Sequence, residues 1–461
     1  MPHSPAQANG SNQQTAPAIA IVGSGPAGYY TAEAAVKLWG DAVRIDIFDR
    51  LPVPYGLIRA GVAPDHQSIK AVARRYETTA LAGNVRFCGH VEVGRDVSVT
   101  ELSDLYDAVI LATGAPRDRP LDIPGEHCGN VMGSAAFVGW YNGHPDFADL
   151  SPDLSGGTAV VIGMGNVALD VARILSKTRA EFAGSDIVAH ALRHLSTSSL
   201  DRIVVLGRRG PLQIMMTPKE LGELGDLSRA LPRVDPADLP SVEEEQALEP
   251  GLRKSLAHLR AYAANHERVD EGRVPVDFIF HAVPRAFIPD ANGQVCAIEV
   301  EETRVEDGRA IGTGNRWQLP AHLVVSCIGY RTAPIPEVPF DERGGRFANT
   351  DGFIRSGLYC VGWARRGPSG TIGTNRPDGY AVIDRIAADL AATAPATGKA
   401  GRDGFDALAT ARGLDVVSFS DWKRIEEAET RRARDDAPRE KFVAITDMIA
   451  VKDETAGEQA E

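Results

Sequence analysis

The feature that most restricts what this chain can fold into is a glycine loop that occurs twice, each time between a short apolar run and a helix-forming stretch. The first, Gly23-Ser24-Gly25-Pro26-Ala27-Gly28, follows the run 18–22. The second, Gly163-Met164-Gly165-Asn166-Val167-Ala168, follows 159–162 and opens a helical pattern over 166–177. In a strand–loop–helix unit of this kind the first glycine makes a tight turn. The second lets the backbone approach a pyrophosphate, and the third small residue lets helix pack on strand. The anion would sit on the positive N-terminus of the helix. Further apolar runs at 43–49, 106–115 and 202–209 alternate with helical stretches. Together they predict the α/β class, with two Rossmann-like dinucleotide-binding domains on parallel sheets.

The two loops are expected to hold different nucleotides. Asp49 ends the strand after the first loop, about twenty residues beyond Gly28, where a carboxylate accepts ribose hydroxyls and repels a 2′-phosphate. Gly23, Gly25, Pro26, Ala27, Gly28 and Asp49 are therefore a site for FAD or NAD. The small-residue strand end Ala112-Thr113-Gly114-Ala115 lets backbone pass close to a flavin nucleotide, so Thr113 and Gly114 favour FAD. After the second loop the equivalent strand ends in Gly207-Arg208-Arg209. Two guanidinium groups there suit a 2′-phosphate, so Gly163, Gly165, Asn166, Val167, Arg208 and Arg209 are assigned to NADPH/NADP+. Ala168 and Arg208 lie about forty residues apart, twice the usual ~20. The excess, 178–201, reads as an inserted helix. His190 and His194 lie one helical turn apart on it, but no third ligand is placed beside them and no metal is expected.

Composition removes other classes. A net charge of −13 argues against general nucleic-acid binding. No apolar run approaches the ~18 residues that a spanning helix needs. The five cysteines form no C-x-x-C, which disfavours a redox dithiol, a zinc knuckle or a compact iron–sulfur ligand set. Scattered thiols suit a reducing cytosol, so a cytoplasmic location is expected. Residues 1–17 carry neither an apolar stretch nor arginine and read as a disordered tail. Two nucleotide sites in one chain imply hydride transfer from nicotinamide to flavin.

Longer strings carry a more specific signal. LPVPYGLIRAGVAPDH at 51–66, GNVALDVARIL at 165–175, GRRGPLQ at 207–213 and VGWARRGPSGTIGTN at 361–375 resemble the adrenodoxin-reductase-type ferredoxin–NADP+ reductases, especially bacterial members. The resemblance runs over 18–450. It implies an EC 1.18.1-type enzyme that passes electrons from NADPH through FAD to a ferredoxin or similar acidic iron–sulfur protein, with a monomer favoured. It also implies that the NADP-binding domain, 117–329, is inserted into an FAD-binding domain made of 18–116 and 330–461. Asn166 would then lie at the NADP pyrophosphate. Glu220 and Glu223 would point toward the nicotinamide, and His66 would sit near the flavin and Glu223. His66, Glu220 and Glu223 are thus the catalytic candidates, and Gly56, Leu57, Trp363, Gly370, Thr371 and Ile372 would border the cofactors. An acidic partner calls for basic residues, and Arg253, Lys254, Arg260, Arg365 and Arg366 are the candidates. The chain departs from the family pattern at Asp49, where glutamate is commoner, and at Met215, Met216, Pro218, Arg376 and Pro377. Two alternatives are a flavin monooxygenase and a flavin–NADPH subunit of a larger complex. The monooxygenase string F-x-G-x-x-x-H and the N-terminal cysteine clusters they would call for are not seen.

Overall fold

The computed structural model describes residues 17–392 and 398–458. The tail expected at 1–17 lies outside the described residues up to residue 16, as do the last three residues of the chain. The chain divides into two compact units, with breaks after Ala115 and after Arg331. Two further segments, 56–72 and 423–461, group with 116–331 rather than with the remainder. The physical reason is a set of buried ion pairs. Arg59 pairs with Glu429, and Lys70 with Asp186 at 2.7 Å. These four residues all lie in the second unit, so the 56–72 loop is held by its own unit's charges.

The first unit is built on a six-stranded sheet in the order Phe353–Arg355, Leu358–Cys360, Ala108–Leu111, Ala18–Val22, Arg44–Phe48, Val85–Cys88. Only the first pair is antiparallel. Residues of Ala18–Val22 and Ala108–Leu111 are buried throughout, as expected for parallel strands covered on both faces. Helix Pro26–Trp39 follows the first glycine loop, with Pro26 at its first position, where the missing N–H costs nothing. Gly379, in helix Asn375–Ala392, lies so close to Thr31 that an added Cβ would come within 2.9 Å of the Thr31 amide. These two helices therefore pack backbone to backbone.

The second unit holds a six-stranded, wholly parallel sheet: Val131–Gly133, Leu323–Ser326, Thr158–Ile162, Arg202–Leu206, Val274–Ile279, Ala230–Val234. Its last strand contains Pro232, tolerated because the strand is at the edge. A three-stranded antiparallel sheet joins Ala282–Pro289, Val295–Glu306 and Arg309–Pro320. The turn between the last two is Asp307-Gly308, both at left-handed φ (46° and 73°), the residues such a tight hairpin prefers. The segment 178–201 holds a short turn of 3-10 helix, Ala180–Phe182, and a helix, Ala189–Ser196. His190 and His194 pack against Trp140, with ring centroids at 6.1 and 6.0 Å. No helix among the described residues is long and apolar enough to cross a membrane.

Candidate functional site

In the first unit, Gly23 sits at φ 115°, and a side chain there would strike the carbonyl of Ala112. The loop therefore runs against the strand end Ala112–Gly114, bringing two of the predicted flavin segments together. Gly25 caps helix Pro26–Trp39 without any side-chain bond to its first turn, which leaves the positive helix end open to an anion. Asp49 closes the other side of the loop. Its carboxylate accepts the Ser24 amide at 3.0 Å, the Ser24 hydroxyl at 2.5 Å and the Leu51 amide at 3.0 Å. A carboxylate offers about four acceptor positions, so roughly one remains for a ribose hydroxyl. The Thr113 hydroxyl is buried and has no partner among the described residues. Thr332 donates to the carbonyl of Gly114 at 2.8 Å and pins that turn.

The segment 362–375 joins the same cradle. Gly362 lies against the first turn of helix Pro26–Trp39, where an added Cβ would come within 2.6 Å of the Ala27 Cβ. Trp363 opens a four-residue helix, Trp363–Arg366, and its indole N–H donates to the Ser369 carbonyl at 3.0 Å. Gly370, at φ 81°, is exposed and is followed by Thr371 and the half-buried Ile372.

In the second unit, Gly163 approaches the Cys327 carbonyl within 2.6 Å of an added Cβ, and Gly165 caps helix Asn166–Ser176, again with no side-chain bond. Asn166 is the first residue of this helix. Its side-chain oxygen accepts the Thr217 amide at 2.9 Å, tying the loop to helix Pro218–Gly225, which carries Glu220 and Glu223. Met215 donates its amide to the Met164 carbonyl at 2.8 Å and leaves its side chain 75% exposed. Beyond strand Arg202–Leu206, Thr303 donates its hydroxyl to the Arg208 carbonyl at 2.8 Å, and the Arg209 guanidinium donates to the Gly308 carbonyl at 3.3 Å. The exposed Arg208 side chain makes no ion pair among the described residues.

His66 and Glu223 meet in this unit, with Nε2 and Oε2 at 2.8 Å. His66 is set by the turn before it, where its amide bonds the Ala63 carbonyl at 3.0 Å, and it leads into the short helix Gln67–Lys70. The pair belongs to a larger cluster that sequence analysis missed. Arg173 donates to Asp65 at 2.5 Å and to Asp170 at 2.7 Å, and lies 3.5 Å from Glu223. Lys177 also donates to Asp65, at 2.5 Å. Burial opposes ionisation of Glu223, but the His66 bond and Arg173 hold its carboxyl below the usual range. Asp65 behaves likewise: Arg173 and Lys177 outweigh its burial. Asp170 is the exception, since burial pushes its carboxyl up to about 6 despite Arg173 and His66. Asp170 and Arg173 stand three residues apart on helix Asn166–Ser176, so helical spacing was the signal that could have found them. The Glu220 carboxylate keeps one buried oxygen, Oε2, with no partner among the described residues.

The basic residues considered for partner docking separate into two groups. Arg253 and Lys254 are exposed on helix Pro250–Ala263. Arg260 is instead engaged by Glu245 and the Pro240 carbonyl. Arg365 and Arg366 both bind Asp378 and are half-buried. The last three are drawn inward by carboxylates of their own unit, which a charge pattern alone does not reveal.

Residues 17–209 match the family described as pyridine nucleotide-disulphide oxidoreductase. Human mitochondrial NADPH:adrenodoxin oxidoreductase is 40% identical over 456 residues, 95% of this chain and 92% of that protein. NADPH-ferredoxin reductase FprA of Mycobacterium leprae is 40% identical over 451 residues, 94% of this chain and 98% of its own. The solved structure of Mycobacterium tuberculosis FprA in complex with NADPH superposes with a TM-score of 0.90 at 39% identity, covering 95% of this chain and 99% of that one.

Proposed function

The chain belongs to the family of NADPH:adrenodoxin oxidoreductases and NADPH-ferredoxin reductases, and from that premise we infer that it takes electron pairs from NADPH onto FAD and passes them singly to an acidic iron–sulfur protein of the ferredoxin type. The observation that carries this reading is the unequal end of the two nucleotide loops. A carboxylate, Asp49, closes the first, and the guanidinium pair Arg208 and Arg209 follows the second. We assign FAD to the first unit and NADPH to the second.

The residues present fit both groups. Each loop offers an uncapped helix end and a glycine that a Cβ would block, and the unpartnered Thr113 hydroxyl lies in the turn assigned to the flavin nucleotide. FAD, when bound, accepts a hydride and releases electrons one at a time, chemistry that no side chain here supplies. The chain's own part is placement. Gly25 and Gly165 admit the pyrophosphates, Asp49 takes a ribose hydroxyl, and Arg208 and Arg209 select the 2′-phosphate. The open acceptor of Glu220 is suited to a carboxamide N–H of the nicotinamide. His66 shares its ring nitrogen with Glu223, so a proton can rest on that pair. Gly56, Leu57, Trp363, Gly370, Thr371 and Ile372 complete the proposed cofactor contacts. Of the five basic candidates, Arg253 and Lys254 are the two exposed ones and are proposed to meet an acidic partner, and five free thiols suit a reducing cytosol.

The test is NADPH-dependent reduction of cytochrome c by the purified protein, with and without ferredoxins of the same organism. A yellow protein whose activity depends on ferredoxin and on NADPH is expected. A colourless protein, or one that prefers NADH, overturns the reading.

A further inference from the structure

Arg366 was a docking candidate, yet its guanidinium is committed within its own unit in three directions. Nε donates to the Ser369 carbonyl at 2.9 Å, Nη2 donates to the Asn375 side-chain oxygen at 3.1 Å, and Nη1 binds the Asp378 carboxylate. Ser369 lies at the entry of the loop between helices Trp363–Arg366 and Asn375–Ala392, and Asn375 and Asp378 lie at its exit. One planar group thus ties both ends of the loop together. Asn375 is itself 8% exposed and donates back to the Ile372 carbonyl at 3.1 Å. Trp363 reaches the same Ser369 carbonyl from the entry side.

The loop needs such a fastening. Gly367 and Gly370 both sit at φ 81°, Gly373 follows, and Ser369, Gly370, Thr371 and Gly373 are exposed. Gly367 is buried, but little burial opposes the conformational freedom of Gly370 and Gly373. The clamp also has a fixed reference point. An added Cβ at Gly362 would come within 2.6 Å of the Ala27 Cβ and 3.0 Å of the Asn375 side-chain oxygen. The exit of the loop is therefore anchored against the helix turn that opens the first nucleotide cradle.

We propose that Arg366 is a positioning residue, whose three-way clamp on Ser369, Asn375 and Asp378 holds the 367–374 loop in the conformation that meets the flavin. This rests on the assignment of FAD to the first unit. Lysine cannot substitute, because a single ammonium on a flexible stem does not present a planar fork to three acceptors. Hydride transfer requires reacting atoms about 3–3.5 Å apart, and a displacement near 1 Å costs on the order of 100-fold in rate.

The experiment uses the FAD-loaded full chain with Arg366→Lys, Arg366→Gln and the milder Asp378→Asn. Six quantities are read: FAD per protein, the flavin midpoint potential, the rate of flavin bleaching by NADPH in a stopped-flow instrument, the long-wavelength absorbance that accompanies nicotinamide stacking, the NADPH dissociation constant, and the KM for ferredoxin. Full FAD content is expected, with bleaching slowed roughly 10- to 100-fold in both Arg366 variants. The stacking band should weaken, the potential should shift, and NADPH affinity should stay near the parent value. Lysine should be no better than glutamine, and Asp378→Asn should lie between parent and Arg366 variants. Unchanged bleaching and band in either Arg366 variant overturns the proposal, as does loss of FAD from all three variants, which would make the clamp a mere prop of the fold. A raised KM for ferredoxin with unchanged bleaching overturns it too and restores a docking role. A parent protein whose flavin is not bleached by NADPH at all sinks the functional assignment instead, a separate result.

Discussion

Removing both guanidinium groups with Arg208→Ala/Arg209→Ala should turn a coenzyme preference into near indifference. The structure sets the size of the effect. Arg208 is exposed with no ion pair among the described residues, so its pull on a phosphate is weakened by water. Arg209 is half-buried and already steadied by the Gly308 carbonyl at 3.3 Å, so less side-chain freedom is lost on binding. A hydrogen bond to a charged group contributes about 1.5–3 kcal/mol, with Arg208 at the low end and Arg209 nearer the middle. The two share one phosphate and do not add fully, which leaves about 3 kcal/mol. That is a loss on the order of 100-fold in kcat/KM for NADPH, since about 1.4 kcal/mol is tenfold. NADH lacks the phosphate, so its kcat/KM should stay near the parent value. Both coenzymes would be compared in steady state with a dye acceptor, at low salt and again near 1 M, where screening over about 3 Å should shrink the difference. Equal losses for both coenzymes, or no salt dependence, would refute the 2′-phosphate assignment.

Three further outcomes follow from the same structure. Asp170→Asn should stabilise the protein. The carboxyl at about 6 lies above its unfolded value near 3.8, so the parent loses stability as pH rises between those values, and the gain should grow over that window to at most ~3 kcal/mol and stay level above it, as read by thermal unfolding across pH. Arg59→Leu removes the bidentate partner of the fully buried Glu429 carboxylate, leaving it the Phe442 amide at 3.0 Å and Arg439 at 3.8 Å, and should lower the unfolding free energy in urea by about 3 kcal/mol, whereas a change below about 1 would mean that the pair is not buried as found. Gly23→Ala places a Cβ against the Ala112 carbonyl at a φ that alanine avoids, so the protein should purify without flavin colour, and retention of full flavin absorbance would contradict the tight loop.

The parts of the fold written in local patterns were legible. Strands 18–22, 158–162 and 202–206 fall where apolar runs end at a glycine, strand 44–48 falls where the run ends at Asp49, and Pro377 lies in the first turn of helix Asn375–Ala392 as its geometry allows. The strand Arg309–Pro320 was not legible, because its residues are largely exposed and carry no apolar alternation. Its Asp307-Gly308 turn was the one available signal. The helices Gly401–Arg412 and Ile445–Glu458 were missed for a similar reason: their patterns compete with charge-rich surroundings. Among candidate site residues, Asp49 and Arg208 were proposed by motif, and His66 and Glu223, which meet at 2.8 Å, by resemblance. Asp65, Asp170, Arg173 and Lys177 were not, because a buried ion cluster depends on partners far apart in sequence, and each member alone looks like an ordinary surface charge.

That cluster is where stability and placement pull against each other. Burying charges is costly, and a well-packed apolar replacement is often as stable. Asp170 illustrates the cost directly, because its carboxyl is pushed up to about 6 even with Arg173 beside it. What the arrangement supplies instead is registration within the second unit. Asp65 precedes His66 in the loop and binds both Arg173 and Lys177 of the segment that continues from the second glycine loop. Arg173 also lies 3.5 Å from Glu223, which holds the His66 ring. The histidine, the glutamate and the helix that begins at Asn166 are thereby coupled through one guanidinium. A change at Asp65 must therefore be felt at Glu223 without touching it, and Asp65→Asn and Glu223→Gln, combined in a double-mutant cycle of unfolding free energies, should depart from additivity by about 0.5–3 kcal/mol, whereas strict additivity would break the coupling.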